Sequence, residues 1–409
     1  YSYTKPNISP PFTEKNSTFA IEKNHYILIM NIILIVGFSQ ALILSFLIFL
    51  KKGKNLSDFF LGSLFIVFGI TLFLGYAELY NRQNNYPYPA LMNTSAPLIL
   101  LHGPILWMYI KSLTSQRFRW KGIYLLHFIP FLFALILLWA TNYSLPAKER
   151  ILLETSEAFK NQISFPFLVA LIALSTQGYF IWGIVMIHQY QKKIRTYFSN
   201  VSQIDLKWLK FLLISSVFFY AFNSGLYILD IFTHWFSYNT MQTLAYSFSS
   251  VFILVLGFYG HSQTDLFRSQ PINVELSAPK RAEEPESLQN QTLTKRDQEF
   301  INHLLSFMQN KKPHLNPDLT LADLSRQTDV SMDYLSYILN KQIHKSFFDF
   351  VNHYRIKEFK TRCQHGLDHK YTIMGVAYES GFNSKATFNR VFKKQTGLTP
   401  GQYITKMKR

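Results

Sequence analysis

Cysteine is almost absent from this 409-residue chain: Cys363 stands alone, which excludes a disulfide framework and any cysteine-rich zinc or iron–sulfur site. Charge is scarce as well, at 16% of residues, and it is unevenly spread. Residues 1–265 hold 19 Lys+Arg and 10 Asp+Glu, whereas the much shorter stretch 266–409 holds 22 and 14. No HExxH, G-x-S-x-G or phosphate-binding glycine loop occurs, and no set of metal-ligating residues is convincing, so neither an enzyme nor a cofactor is expected. What is abundant is aromatic: 38 Phe, 24 Tyr and 6 Trp make up 17% of the chain. An apolar half is joined to a polar, basic one, and a single soluble globule is excluded.

Seven apolar runs precede residue 262, near 26–50, 57–79, 95–113, 123–144, 165–189, 211–233 and 240–260. Each reaches the roughly 20 residues that cross a bilayer core as a helix. The first, Tyr26–Leu50, carries no charge and is too long for a signal-peptide core. Lys and Arg concentrate in loops 51–56, 111–122 and 190–210, which hold 12, against 7 on the other side. Basic loops face the cytoplasm. The expected topology is therefore a multi-pass inner-membrane protein with segment 1–25 outside and the C-terminus in the cytoplasm. The sequence starts at Tyr1 without Met, so a longer native N-terminus is left open.

Polar groups inside the spans are candidates for receiving a signal, since an intramembrane carboxylate is costly unless paired or wet. Tyr220, Asn223, Tyr227 and Asp230 fall on one face of the sixth span at spacings of three, four and three. Glu78 ends the second span and His102 precedes Pro104 in the third. Glu78, His102 and Asp230 are expected toward the outer leaflet, and these polar groups serve either as interhelical hydrogen bonds or as a pocket for a small-molecule or ionic signal.

Residues 263–293 are rich in Pro, Ser, Glu and Gln, a composition with no core to bury, so they read as a flexible cytoplasmic linker of roughly 30 Å r.m.s. span. From 294 the pattern changes to short capped helices. Thr320 with Asp323 forms a capping box opening Leu321–Gln327, and Ser331 caps a helix to about Lys341. A longer helix covers roughly Phe347–Cys363. Thr372 then caps Ile373–Glu379, Gly381 makes the turn, Ser384 caps a helix to Gln395, and Pro400 opens a last one. Two helix–turn–helix units, near 320–341 and 372–395, are thus expected within a domain at 294–409. Ala377 suits the close helix contact, and Ile373, Val376, Phe382, Phe388, Val391 and Phe392 form the apolar wedge. Ser384, Lys385, Thr387, Asn389, Arg390, Lys393 and Lys394 are the expected DNA-facing residues of the second unit. Met332, Asp333, Tyr334 and Tyr337 are those of the first, with Arg355 on phosphate.

The run Ile373, Val376–Ala377, Gly381–Phe382, Phe388, Phe392–Lys393, Gly397, Thr399–Pro400 and Tyr403 resembles the second half of the AraC/XylS-type DNA-binding domain. The first half is similar through Leu321, Leu324, Ser331, Tyr334–Leu335, Ser346–Phe347, Asn352 and Arg355–Ile356. It departs where Ser325 and Phe359 replace a usual Ala and Asp329 and His344 a usual Gly, and the second half departs where Ile404 replaces a usual Arg. The resemblance covers about 115 residues. More loosely, His102–Gly103–Pro104, Tyr109, Lys111–Ser112–Leu113 and Leu126–Pro130 are similar to multi-helix sensors fused to such domains in bacteria. Together these imply an all-α chain: a seven-transmembrane-helix domain at 26–262, then a two-unit helix-turn-helix domain. The implied function is transcription regulation, with double-stranded DNA, the lipid bilayer and an unidentified signal as partners. A transporter or channel with a DNA-binding appendage, and a plain membrane anchor for DNA, are the alternatives. Monomer and homodimer are both compatible with the sequence.

Overall fold

The computed structural model describes residues 12–115, 118–202, 204–233, 235, 238–262, 294–364 and 372–407, and the expected linker 263–293 lies outside them. Every regular element among the described residues is helical. The chain divides into two compact units. The first comprises Tyr1–Met186 and Trp208–Ile272, the second Ile187–Lys207 and Asn273–Arg409.

The first unit is built from α1 (Phe12–Leu50), α2 (Leu56–Gln83), α3 (Ala96–Thr114), α4 (Ile129–Leu138), α5 (Ala147–Thr155), α6 (Ser164–Tyr197, to Met186), α7 (Lys207–Thr233) and α8 (Tyr238–Ser262). The fourth span is not one uniform helix: a 3-10 stretch, Gly122–Phe128, leads into α4, and a π turn, Trp139–Tyr143, follows it. Among the described residues six helical stretches are long and apolar enough to cross a membrane, and α8 adds the shorter apolar stretch Thr240–Val255. Their outward surfaces are greasy. Leu174, Phe218 and Phe232 expose 77%, 74% and 79% of their area, a surface suited to lipid and costly in water. Helix α1 packs on α2 and α8, and α2 on α3. Two boundaries differ from the sequence reading. Helix α1 begins at Phe12, inside the segment 1–25 set before the first span, and α6 continues through Lys192, Lys193 and Arg195, which had read as loop.

The second unit follows its caps closely. Thr294 and Asp297 form a capping box opening α9 (Lys295–Asn310), and Thr320 with Asp323 opens α10 (Leu321–Gln327). Ser331 caps α11 (Met332–Tyr337), which runs into a π turn, Ile338–Gln342. The bridging helix α12 spans Phe347–Gln364. Thr372 caps α13 (Ile373–Glu379), Ser384 caps α14 (Lys385–Thr396), Gly397 in the left-handed conformation ends it, and α15 runs Pro400–Met407. Leu304, Met308, Leu321, Leu324, Leu335 and Leu339 pack on Phe347, Phe350 and Val351 of α12 to form the core around the first pair. Phe359 carries the other end of α12 onto Phe388 and Phe392 of α14, with ring centroids 4.8 and 5.4 Å away.

Two departures from the family pattern now have a backbone consequence. Asp329 and His344, where Gly is usual, sit at φ of 52° and 54°, a region that costs an L residue about 1 kcal/mol or more. We expect Asp329→Gly and His344→Gly each to raise the stability of this unit by about 0.5–1 kcal/mol, read as a higher urea midpoint. An unchanged or lower midpoint would show that local contacts of the two side chains already offset the strain.

Candidate nucleic-acid interface

In the α13–α14 pair, Ala377 is fully buried at the helix crossing, and the turn closes through Phe382 N–H to Ala377 O at 3.1 Å and Gly381 N–H to Tyr378 O at 3.0 Å. With Phe382, Phe388, Val391 and Phe392 turned inward, α14 leaves Lys385, Asn389, Arg390, Lys393 and Lys394 exposed. Residues 385, 389 and 393 share one stripe, as i, i+4, i+8 spacing requires. Lys385, Asn389, Arg390 and Lys393 line a single depression with Ile373, Met374 and the start of α15. Such a surface can hydrogen-bond base edges through Asn and Arg and neutralise phosphate through Lys. Burial, and then the positive charge of Arg195, pull the Arg390 guanidinium below its ordinary value.

Three expected DNA-facing residues are placed otherwise. Thr387 is buried, with its backbone N–H on the Ser384 cap, so it supports α14 rather than reading DNA. Tyr334 is half-buried, and its hydroxyl donates to Asp297 Oδ1 at 2.8 Å, pinning α11 to α9. Arg355 is 1% exposed and cannot reach phosphate. Its guanidinium donates to the carbonyls of His314 (2.9 Å), Asn316 (2.7 Å), Pro317 (3.2 Å) and Ser199 (3.3 Å), and to Ser199 Oγ (3.0 Å). Burial lowers its pKa to about 10, with Asp318 pulling the other way, so it stays charged at neutral pH. Of the remaining residues of the first pair, Asp333 is exposed, Met332 and Tyr337 are partly so, and the Tyr337 hydroxyl accepts from Gln342.

A second basic depression escaped the sequence reading. Lys345, Lys357, Lys360 and Lys394 line it with His344 and His353, and Asp349 sits among them, 3.0 Å from Lys394 Nζ. Burial raises the Asp349 carboxyl, but hydrogen bonds from Lys394 and Ser346 outweigh it and hold it low. The four lysines and His353 come from α12, α14 and the turn before α12, so their convergence is tertiary. The available signal was the i, i+3 spacing of Lys357 and Lys360.

Segment 187–207 belongs to this unit. Phe198 and Thr320 form an isolated antiparallel bridge, and Ser199 N–H and Oγ–H both donate to Leu319 O. Ser199 O in turn accepts from Asn352 Nδ2 at 3.1 Å and from Arg355. Tyr197 packs on the core around α10–α12, and Arg195 lies over the Phe348 ring.

In the first unit, the candidate signal residues separate into two groups. Glu78 accepts from Ser95 N–H and Gln242 Nε2, both at 2.8 Å, and from Tyr246 hydroxyl at 3.3 Å. Asp230 is paired with Lys160 at 2.8 Å, and His102 stacks on Phe68 and bonds Thr71 Oγ1. Those three are engaged by protein groups, together with Arg82, which bridges Glu154 and Gln242. Tyr220, Asn223 and Tyr227 instead line a cavity of about 140 Å³. Among the described residues no cluster of three or more His, Cys, Asp or Glu is suited to a metal ion.

Comparison with known proteins agrees with this geometry. Residues 324–406 match the family described as Helix-turn-helix domain. Over 93 residues the chain is 37% identical to an uncharacterized HTH-type transcriptional regulator of Staphylococcus aureus (strain COL), covering 22% of this chain and 12% of that protein. Over 107 residues it is 29% identical to an uncharacterized response regulatory protein of Staphylococcus epidermidis, covering 26% of this chain and 40% of that one. The chain thus spans less than half the length of these relatives. Residues 324–406 therefore form a helix-turn-helix domain of AraC type.

Proposed function

We propose that the protein is a membrane-embedded, sequence-specific transcription regulator that couples a signal received by its apolar helices to gene expression. The observation that carries this reading is one chain holding, among its described residues, both six membrane-length apolar helices and a helix-turn-helix domain with an exposed basic second helix. The basic-loop count favours a cytoplasmic 190–210, and that this segment folds with the DNA-binding unit supports the same side for both.

That segment also supplies a route for coupling. Helix α6 starts in the first unit, and from Ile187 its residues count with the second. Within the second unit, a shift of segment 187–207 would be felt at α12 through the bonds of Ser199 to Asn352 and Arg355. The shift can be no larger than the signal's differential affinity for the two states.

The test uses the full chain in nanodiscs and a duplex carrying its selected site. Arg390→Ala should cost about 1–3 kcal/mol and relax preference at one base position, whereas Lys393→Ala should weaken all sequences alike and reduce the salt slope by about 1. Equal, sequence-independent losses from both variants would favour a DNA anchor over a regulator.

A further inference from the structure

We propose that the cavity lined by Tyr220, Asn223 and Tyr227 is a binding site for a small uncharged aromatic molecule that carries a hydroxyl or ring N–H donor, of phenol or indole type. The assignment rests on the reading of the first unit as the receiver of a signal and names the class of signal.

The cavity lies among the starts of α3, α6 and α8, the end of α4 with its π turn, and the second half of α7. No Lys, Arg, Asp or Glu is among its lining residues. The nearby carboxylates are not available as counterions: Glu78 is held by Ser95 and Gln242, and Asp230 by Lys160. A charged ligand would lose its hydration with nothing of opposite sign to meet it, so the occupant is neutral. The walls are aromatic, with Phe159, Phe165, Tyr227 and Tyr238 set edge to face at centroid distances of 4.9 to 6.2 Å. These rings offer both faces and edges to a further ring.

Two polar atoms give the site its direction. Asn142 on the π turn and Asn223 on α7 are 5% and 8% exposed, and the Oδ1 of each is buried without a hydrogen-bond partner. Neither oxygen has accessible surface in the cavity as it stands, so binding includes a turn of the amide toward the ligand; an orphaned buried acceptor costs about 1–3 kcal/mol, which a ligand O–H or N–H then recovers. At about 140 Å³ the space is close to cavities of roughly 150 Å³ that admit benzene, so a small aromatic molecule fits. A neutral lipophile of this size also reaches such a site through the bilayer.

The experiment titrates the full chain in nanodiscs with phenol, indole, toluene and benzoate at pH 7, with protein-free nanodiscs as the partition baseline. Phenol and indole are expected to bind saturably, about tenfold more tightly than toluene, with benzoate weaker again. Asn142→Leu with Asn223→Leu should bring phenol down to the toluene level and leave toluene unchanged. The wild-type order of probes needs no variant, so a double variant that fails to fold does not remove the test. Equal affinity for phenol and toluene, or no saturation above the baseline, would overturn the proposal. DNA affinity measured on the same samples separates the two readings: saturable phenol binding that leaves DNA affinity unmoved retains the site and removes the coupling.

Discussion

Gly381→Ala should abolish DNA binding by the full chain and unfold the α13–α14 pair at urea concentrations the wild type tolerates. Gly381 has φ of 91°, and a Cβ built on it would lie 2.2 Å from the carbonyl oxygen of His314 and 3.1 Å from Arg355 Nε. The first obstacle is backbone, which no rotamer change relieves. The His314 carbonyl is also the acceptor for Arg355 Nε, so moving it breaks the bond that ties α12 to the 3-10 turn Pro313–Leu315. Left-handed strain and overpacking together amount to about 3 kcal/mol or more, a large part of a small unit's stability. Gly397→Ala is the control. Gly397 is equally left-handed, at φ of 75°, but nothing stands within 4 Å of its added Cβ, so only about 1 kcal/mol is expected. Similar losses at the two positions would mean that the close approach at His314 is absent in solution.

Arg355→Met should be the second large effect, about 3–5 kcal/mol on the stability of the C-terminal unit, with no change in the salt dependence of DNA affinity in the fraction that stays folded. Methionine keeps most of the volume but satisfies none of the carbonyls of His314, Asn316, Pro317 and Ser199. A phosphate-binding arginine behaves in the opposite way: its loss leaves the melting transition alone and lowers the salt slope by about 1. Urea denaturation and a salt titration on the same variant therefore decide between the two roles. A stable Arg355→Met protein with a reduced salt slope would reinstate Arg355 at the DNA surface.

Most of the C-terminal unit was legible because its signals are local. The box Thr320/Asp323, the caps Ser331, Thr372 and Ser384, the left-handed Gly397 and the N-terminal Pro400 each act within four residues; the helices begin where the caps place them and α14 ends at Gly397, whereas α11 gives way to a π turn after Tyr337. Arg355 was misread because an arginine on a helix is ordinarily exposed, and one of its acceptors, Ser199, lies 156 residues away in sequence. The role of 187–207 was hidden for the same reason, since a basic stretch after an apolar span reads as a loop. Within the first unit, the sequence singled out costly groups by type, while their engagement depended on tertiary placement. Glu78 and Asp230 found partners on other elements, and Tyr220, Asn223 and Tyr227 reached a cavity.

The measurement that bears most directly on a membrane-embedded, sequence-specific regulator is selection from random duplexes by the full chain in nanodiscs at 100–150 mM salt. The account predicts recovery of a site with two elements about one helical turn apart, one of which relaxes in Arg390→Ala. Salt-sensitive retention of every duplex without enrichment would contradict it.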